Sequence, residues 1–515
     1  MALSYLLLFE TGLILGVGAI IYKIIYNLFF SPLKQFPGPL LNAASSLPYD
    51  IACARGSAVR VLTKLHDQYG PIVRTRPNEL SYLEGYTWRD AYGFRPGHAE
   101  WFKGDSFSYP NGSPGIIGAP REDHRRIRRS LAHVFSSQGL RDQSPRILEY
   151  ADQLLAALAK HAQSGPVDVV QWFSWTTTDV IGDLAFGEAF GALKDEKQHE
   201  WMSLSFKLLR PAVLIGILER WHIIALAAIL LPSDVLGGVQ DNAKYISEKV
   251  KKRLAYGKDR GDFFDRLLKN GLVVDSEKGF RHTADGQEGF TVEELESSAQ
   301  DLVFAGSETT ATLLSGTVYF LLQNPQVLDK VAAEVRTAFS KEEDITVAST
   351  EPKFLPYMDA VLNESIRIYD PVPTFGPRVA PKGGDTMNGI FLPEGTRVFV
   401  PKYVSNRSPL NFARPLEFIP ERWYPKGQGR PEEFDNDNPT GAWQPFSYGP
   451  RNCVGMNLAN AEMHLILAKL LWRFDLCLPN MTEKEKHEWD HWVERQDVWF
   501  LWVKPPLFVD LKARQ

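Results

Sequence analysis

The sequence predicts a mainly α-helical protein with small β-sheets, preceded by an N-terminal transmembrane helix. Three observations carry this reading: an apolar, almost uncharged N-terminal stretch, a long capped helical pattern over 291–323, and short strand-like runs confined to 72–83 and to the chain beyond Asp370. Length alone, at 515 residues, suggests roughly three domains. No Ser/Gly-rich linker, low-complexity tract or repeat offers a place to divide, however. The expected organisation is therefore an anchor at 1–30, a proline-rich hinge at 31–45 and one large body at 46–515.

Between Ala2 and Phe30 only Glu10 and Lys23 are charged. A helix needs about 20 apolar residues to span a bilayer, and Lys23 can snorkel to the headgroups. The alternative, a cleaved signal peptide, lacks a basic leading region and a clear small-residue cleavage site. Lys34 and the stiff Phe36-Pro37-Gly38-Pro39 follow, and lysines after the span favour a cytoplasmic body.

Tyr69-Gly70-Pro71 ends a helix, and Ile72 to Leu83 alternates as two short strands around Pro77-Asn78. Arg95 to Pro120 has no helical period, and a loop this long inside a compact protein is usually functional. Glu122 to Phe135 resumes helical character. Pro211 to Leu236 is strongly apolar and reads equally well as a core helix or as a second membrane-dipping surface. Thr291-Val-Glu-Glu294 is a capping box opening a helix that Asn324-Pro325 stops, about 50 Å on. Strand character then returns in Pro371 to Val379, Thr386 to Leu392, Val398 to Pro401 and Val498 to Asp510, the last broken by Pro505-Pro506.

Apolar residues at 44% and aromatics at 12% suffice for a large core, and a net charge of -5 gives no sign of nucleic-acid binding. The three cysteines, Cys53, Cys453 and Cys477, form no C-x-x-C pair. That excludes a zinc ribbon and a disulfide framework, and it fits a reducing compartment.

One cysteine stands in a distinctive setting. Phe446-Ser-Tyr-Gly449-Pro-Arg451-Asn-Cys453-Val-Gly455 forms a Gly/Pro-containing loop before the helical run Met456 to Trp472. Free amides and the positive dipole end of a helix lower a thiol pKa, as a thiolate metal ligand requires. Gly449 and Gly455 permit close approach of a flat macrocycle, and Arg451 can pair with a carboxylate. This F-x-x-G-x-R-x-C-x-G pattern resembles the haem-binding loop of the cytochrome P-450 family without departure. Glu364-Ser-Ile-Arg367 resembles the family's E-x-x-R helix, and Phe418 to Trp423 the segment completing its ion-pair network through Arg422. Ala305-Gly306-Ser307-Glu308-Thr309-Thr310 resembles its oxygen-binding stretch. The similarity runs over essentially the whole chain, and its flavour is that of fungal enzymes of secondary metabolism.

The resemblance implies a monooxygenase whose cofactor is heme b with Cys453 as axial thiolate and iron ligand. Ala305 and Gly306 would leave room for O2, Thr309 would donate a hydrogen bond to it, and Glu308 would relay protons. The alternative for Gly306 is a helix-packing contact. Glu364, Arg367 and Arg422 would be a buried structural network. His124, Arg128 and Arg378 match propionate contacts, although His124 stands where the family usually has Trp. Arg125, Arg126 and Arg129 are expected to face solvent and help dock an acidic reductase.

The pocket walls would be the Arg95 to Pro120 loop, Phe304, Ala305 and Val372 to Phe375, which suits an apolar substrate. With no G-x-G-x-x-G domain, electrons must come from NADPH-cytochrome P-450 reductase as a separate partner. The implied location is the endoplasmic reticulum membrane, with the body in the cytosol. Desaturation, epoxidation, ring coupling and isomerisation on the same haem stay open, as does a non-enzymatic ligand-binding protein.

Overall fold

The first helix runs from Ala2 to Ile25 and continues as a π-helical turn over Tyr26–Phe30. Its Glu10–Phe30 portion has a mean hydropathy of 1.9 and is 6% buried, so it is long and apolar enough to cross a membrane. A helix apolar on every side has no water-facing side, and this one packs against almost nothing. The computed structural model describes residues 2–104, 111–226, 233–257, 260–269, 289–374 and 376–514. Strands in chain order are β1 Ile72–Arg76, β2 Glu79–Tyr82, β3 Phe102–Lys103, β4 Val167–Asp168, β5 Arg378–Val379, β6 Asp385–Met387, β7 Ile390–Leu392, β8 Arg397–Phe399, β9 Phe474–Cys477, β10 Asp497–Trp499, β11 Leu501–Val503 and β12 Phe508–Ala513.

The chain forms two compact units. One comprises Met1–Asp105, Thr374–Phe412 and Asn438–Pro450. It carries a five-stranded sheet in the order β1-β2-β8-β5-β3, in which β2 and β8 are parallel and the other pairs antiparallel. Strands β6 and β7 make a separate hairpin whose turn residues, Asn388 and Gly389, both have positive φ, the geometry that suits a two-residue hairpin loop. Here the sequence reading of one run over Thr386 to Leu392 resolves into two strands. Of Pro371 to Val379 only Arg378–Val379 is strand, and Phe375 lies outside the described residues.

In the same unit the proline-rich segment 31–45 is fastened to β1. Arg74 N donates to Pro37 O at 2.7 Å, and a Cβ on Gly38 would lie 2.6 Å from Arg74 O, so only glycine permits the approach. The buried Arg74 guanidinium donates to Asn27 O at 3.1 Å and to Ser31 Oγ at 3.2 Å.

The other unit comprises Ser106–Pro373, Ala413–Asp437 and Arg451–Gln515. Its axis is the Val292–Gln323 helix, opened by the capping box of Thr291 and Glu294 and closed at Asn324. Most of its side chains are buried, because helices pack against it on several sides. Chief among them is Val169–Phe186, itself buried almost throughout. A three-stranded sheet, β4-β12-β9, and the β10–β11 hairpin complete the unit.

The apolar Pro211 to Leu236 stretch is not a single helix. Leu209–Arg220 ends at Trp221, His222 takes a positive φ, and one 3-10 turn follows at Ile224–Leu226. Residues 227–232 lie outside the described residues, as do 105–110 of the expected functional loop. Only Leu218 of the Leu209–Arg220 helix is buried, and Trp221, Ile223, Ile224 and Leu226 are exposed, so the described part is not a core helix.

Candidate active site

Cys453 lies between a 3-10 turn at Gly449–Arg451 and the helix Met456–Arg473, whose N-cap is Gly455. Cys453 is exposed and is in no disulfide. The first amides of that helix are therefore within two or three residues of the sulfur. Arg128, in the second half of the Arg121–Ala132 helix, forks onto the carbonyl and side-chain oxygens of Asn452. Burial pulls the Arg128 guanidinium below its usual pKa, and the charge of neighbouring Cys453 opposes that fall. A cation and a helix start both favour the thiolate.

Arg451 turns inward and donates to Ala119 O at 2.9 Å. A Cβ on Gly455 would make ordinary contacts only, at 3.9 Å from Phe135 and 4.0 Å from the Cys453 sulfur. In its own unit Gly449 has φ +76, and a Cβ there would meet Tyr92 O at 2.2 Å, so glycine is required at that turn. Phe446 is half-buried. Arg378, also in that unit, is 1% exposed, with its guanidinium 4.7 Å from the Tyr92 ring centre.

On the central helix the side chains around 305 divide by face. Val303, Ser307 and Glu308 are buried, whereas Ala305 is exposed and Phe304 and Thr309 are half-buried. Thr309 Oγ1 donates to Ala305 O at 2.6 Å, a back-bond to the preceding turn that leaves the helix continuous. Gly306 meets another helix: a Cβ there would lie 2.8 Å from Ile181 Cγ1. That makes it a packing contact. Next to it Thr177 Oγ1 donates to Ser307 O at 2.7 Å.

The expected loop is pinned to the same helix along its 111–120 part. Ile117 N donates to Asp301 Oδ2 at 2.8 Å and Ser297 Oγ to Ser113 O at 2.8 Å. Asn111, in a glycosylation-like Asn-Gly-Ser, spends its amide on Glu293 O and its oxygen on Ser113 and Ser297. Asn406, in the other such triplet, is 1% exposed, so neither asparagine presents a free side chain to a glycan.

The basic helix differs from expectation at one residue. Arg125 and Arg129 are exposed, but Arg126 is buried and bonded to Glu294, Asp123 and Gly289 O. An i,i+3/i+4 pattern turns residue 126 onto the inner face with Ile127 and Ser130, where its charge is tolerable only because the capping-box Glu294 meets it. His124 is also buried.

Glu364, fully buried, accepts from Arg367 Nε and Nη2 at 2.8 Å each, Arg422 Nε at 3.0 Å, Trp423 Nε1 at 2.9 Å and Ile419 N at 2.9 Å. Although burial raises a carboxyl pKa, the two guanidinium groups win and hold Glu364 below the usual value. Arg422 also pairs with Asp437.

Sequence reasoning missed two groups. Lys504, between β11 and Pro505-Pro506, has a side chain only 2% exposed, pairs with Glu308 and donates to Thr312 Oγ1 at 2.8 Å. Its only trace in the sequence is a lone cation in an apolar C-terminal run. Glu462, in the helix after Cys453, is fully buried, hydrogen-bonded to Thr310, and raised to about 8 by desolvation.

Residues 48–497 match the family model for cytochrome P-450. The chain belongs to the cytochrome P-450 family. It is 40% identical to averantin hydroxylase of Dothistroma septosporum over 97% of this chain and 91% of that protein. It is 39% identical to trichothecene C-15 hydroxylase of Fusarium sporotrichioides over 97% of each, and 38% identical to versicolorin B desaturase of Aspergillus parasiticus over 98% and 96%. The fold is that of a cytochrome P-450 and the chain is a monooxygenase of that family, which carries a haem–thiolate cofactor. The residues present fit such a group: an exposed thiol backed by a cation and a helix start, and a central helix that exposes Ala305 between half-buried Phe304 and Thr309.

Proposed function

We propose that this cytochrome P-450 inserts one oxygen atom of O2 into an apolar small molecule, a polyketide, terpenoid or alkaloid intermediate of fungal secondary metabolism. The observation that carries the reading is the exposed Cys453 thiol beside Arg128 at the start of the Met456–Arg473 helix. When bound there, heme b supplies the oxygen-activating chemistry, and a cysteine thiolate favours O–O cleavage. The residues around it bind and orient. Arg451, Arg128 and His124 serve the propionates, and Arg378 joins them on family resemblance alone, as do Phe446, Gly449 and Gly455 at the haem face. Ala305 keeps the oxygen side open. Thr309 can release Ala305 O and donate its hydroxyl proton towards the oxygen, while Glu308 takes up protons from solvent and passes them on.

Electrons come from NADPH through a separate reductase, for which exposed Arg125 and Arg129 remain docking contacts. The span at 1–30 anchors the catalytic domain, 46–515, through the hinge at 31–45 to the endoplasmic reticulum membrane on its cytosolic side. The exposed Trp221–Leu226 segment is the second membrane contact.

Desaturation is the second reading, favoured by the 38% identity to versicolorin B desaturase. The deciding experiment is a carbon-monoxide difference spectrum of the reduced protein and of Cys453→Ser. A red-shifted thiolate–haem band in the first and none in the second is expected, and its absence from the wild type overturns the reading. Product analysis under labelled dioxygen then separates oxygen insertion from desaturation.

A further inference from the structure

Lys504 has no room to be incidental. Its side chain is 2% exposed, and an ammonium taken out of water is tolerated only with partners. It has Glu308 and Thr312, four residues apart on one strip of the central helix. Its backbone is fixed on both sides. Upstream, Trp502 of β11 donates to Asp370 O at 2.8 Å and packs on Tyr369. Downstream come Pro505-Pro506 and Leu507, whose amide donates to Asp168 Oδ1 at 3.0 Å. Such an anchor cannot follow Glu308 if the carboxylate swings.

Ala305 and Thr309 occupy a different strip, because consecutive helical residues are turned about 100° from each other. The ammonium thus draws the Glu308 carboxylate to the Thr312 side, while the Thr309 hydroxyl faces its Ala305 carbonyl.

We propose that Lys504 is the positioning residue for Glu308, holding its carboxyl group on the Thr312 strip so that proton delivery towards Thr309 requires this pair to open. The proposal rests on the reading of Glu308 as the proton-relay acid. Two charged groups bear on the ammonium among the described residues: Glu308 from the central helix and Asp168 from β4. Burial pulls the Lys504 pKa well below the ordinary lysine value, so the pair is held by geometry more than by deep charge stabilisation.

The test uses the full-length, haem-loaded chain with its reductase in membranes, comparing Lys504→Met, Lys504→Arg, Glu308→Gln and the Lys504→Met/Glu308→Gln double variant. Hydrogen peroxide released per NADPH consumed is followed against pH, and urea unfolding of the same four proteins and wild type supplies a readout independent of turnover. Losing its cation raises the pKa of a buried carboxylate, so Lys504→Met should shift the Glu308-dependent limb upward by about one pH unit or more, with Lys504→Arg returning towards wild type. The unfolding cycle should show a coupling of about fivefold or more in the folding equilibrium. Superposable Lys504→Met and wild-type limbs, with Glu308→Gln still altering the limb, overturn the proposal and leave the relay intact. A limb unchanged in Glu308→Gln overturns the relay reading itself. Should Lys504→Met not accumulate, Lys504→Gln, which keeps one donor to Glu308, carries the same comparison.

Discussion

Replacing Glu364 by glutamine tests whether the buried ion-pair network holds this fold. The carboxylate uses Oε1 for Arg367 Nη2, Arg422 Nε and Ile419 N, and Oε2 for Arg367 Nε and Trp423 Nε1. A glutamine must put its NH2 where one of those oxygens was, so donors face donors whichever way the amide is turned. Both guanidinium groups also lose their shared charge. Arg367 keeps Pro415 O and Glu417 O, and Arg422 keeps Asp437 and Ala413 O, so neither is stranded entirely. Breaking one side of a buried pair costs about 3–5 kcal/mol, a large part of the roughly 5–15 kcal/mol typical of a folded protein.

The assay is urea unfolding of the haem-loaded protein, with Glu417→Gln as control. Glu417 pairs with Arg414 at the surface, where solvent screens the pair and the change should be small. The pH dependence adds a second check. The folded pKa of Glu364 is depressed, so its stabilisation is complete above the ordinary carboxylate value and drains as pH falls through the folded one. Glu364→Gln should lose that part of the acid slope. A Glu364→Gln midpoint indistinguishable from that of the surface control would refute the reasoning.

Arg126→Ala should cost about 3 kcal/mol or more, because it leaves Glu294 buried without its cation, whereas Arg129→Ala should be nearly neutral; unfolding midpoints compare them. Burial lowers the His66 pKa to about 4, so between the ordinary 6.5 and 4 the unfolded chain takes up a proton that the folded chain refuses. Stability should fall with pH across that window, and less so in His66→Gln. Ala305→Leu should leave the unfolding midpoint little changed and abolish the spectral response to apolar ligands, since the Ala305 methyl is exposed on a mostly buried helix. Removing residues 2–24 should move the protein out of the integral-membrane fraction; retention after an alkaline wash would count against the anchor.

The central helix was legible to the residue, because a capping box and an Asn-Pro stop are local chemistry that tertiary packing had no reason to override. The helix after Cys453 and the strands flanking Pro77-Asn78 were legible for the same reason. The β6–β7 hairpin is legible as strand character over Thr386 to Leu392, and Asn388-Gly389 marks the turn that divides it. Arg126 reads as part of a solvated arginine run, because its partner Glu294 lies 168 residues away. The Lys504–Glu308 pair, with a separation of 196 residues, was invisible to any local pattern. Of the motif residues, Glu364, Arg367 and Arg422 converge, while Gly306 meets Ile181.

On the proposed membrane anchoring, the grip of Arg74 on Asn27 and Ser31 bears on how the molecule rides its bilayer. A chain leaving the lipid through a slack tether would let the sheet swing like a moored boat. Here the exit of the span is bolted to the first strand, so the azimuth of that sheet follows any roll or tilt of the span, more keel than rope. Truncated versions meant for crystals should therefore start ahead of Asn27, since a cut at the lipid boundary strips a buried guanidinium of two acceptors.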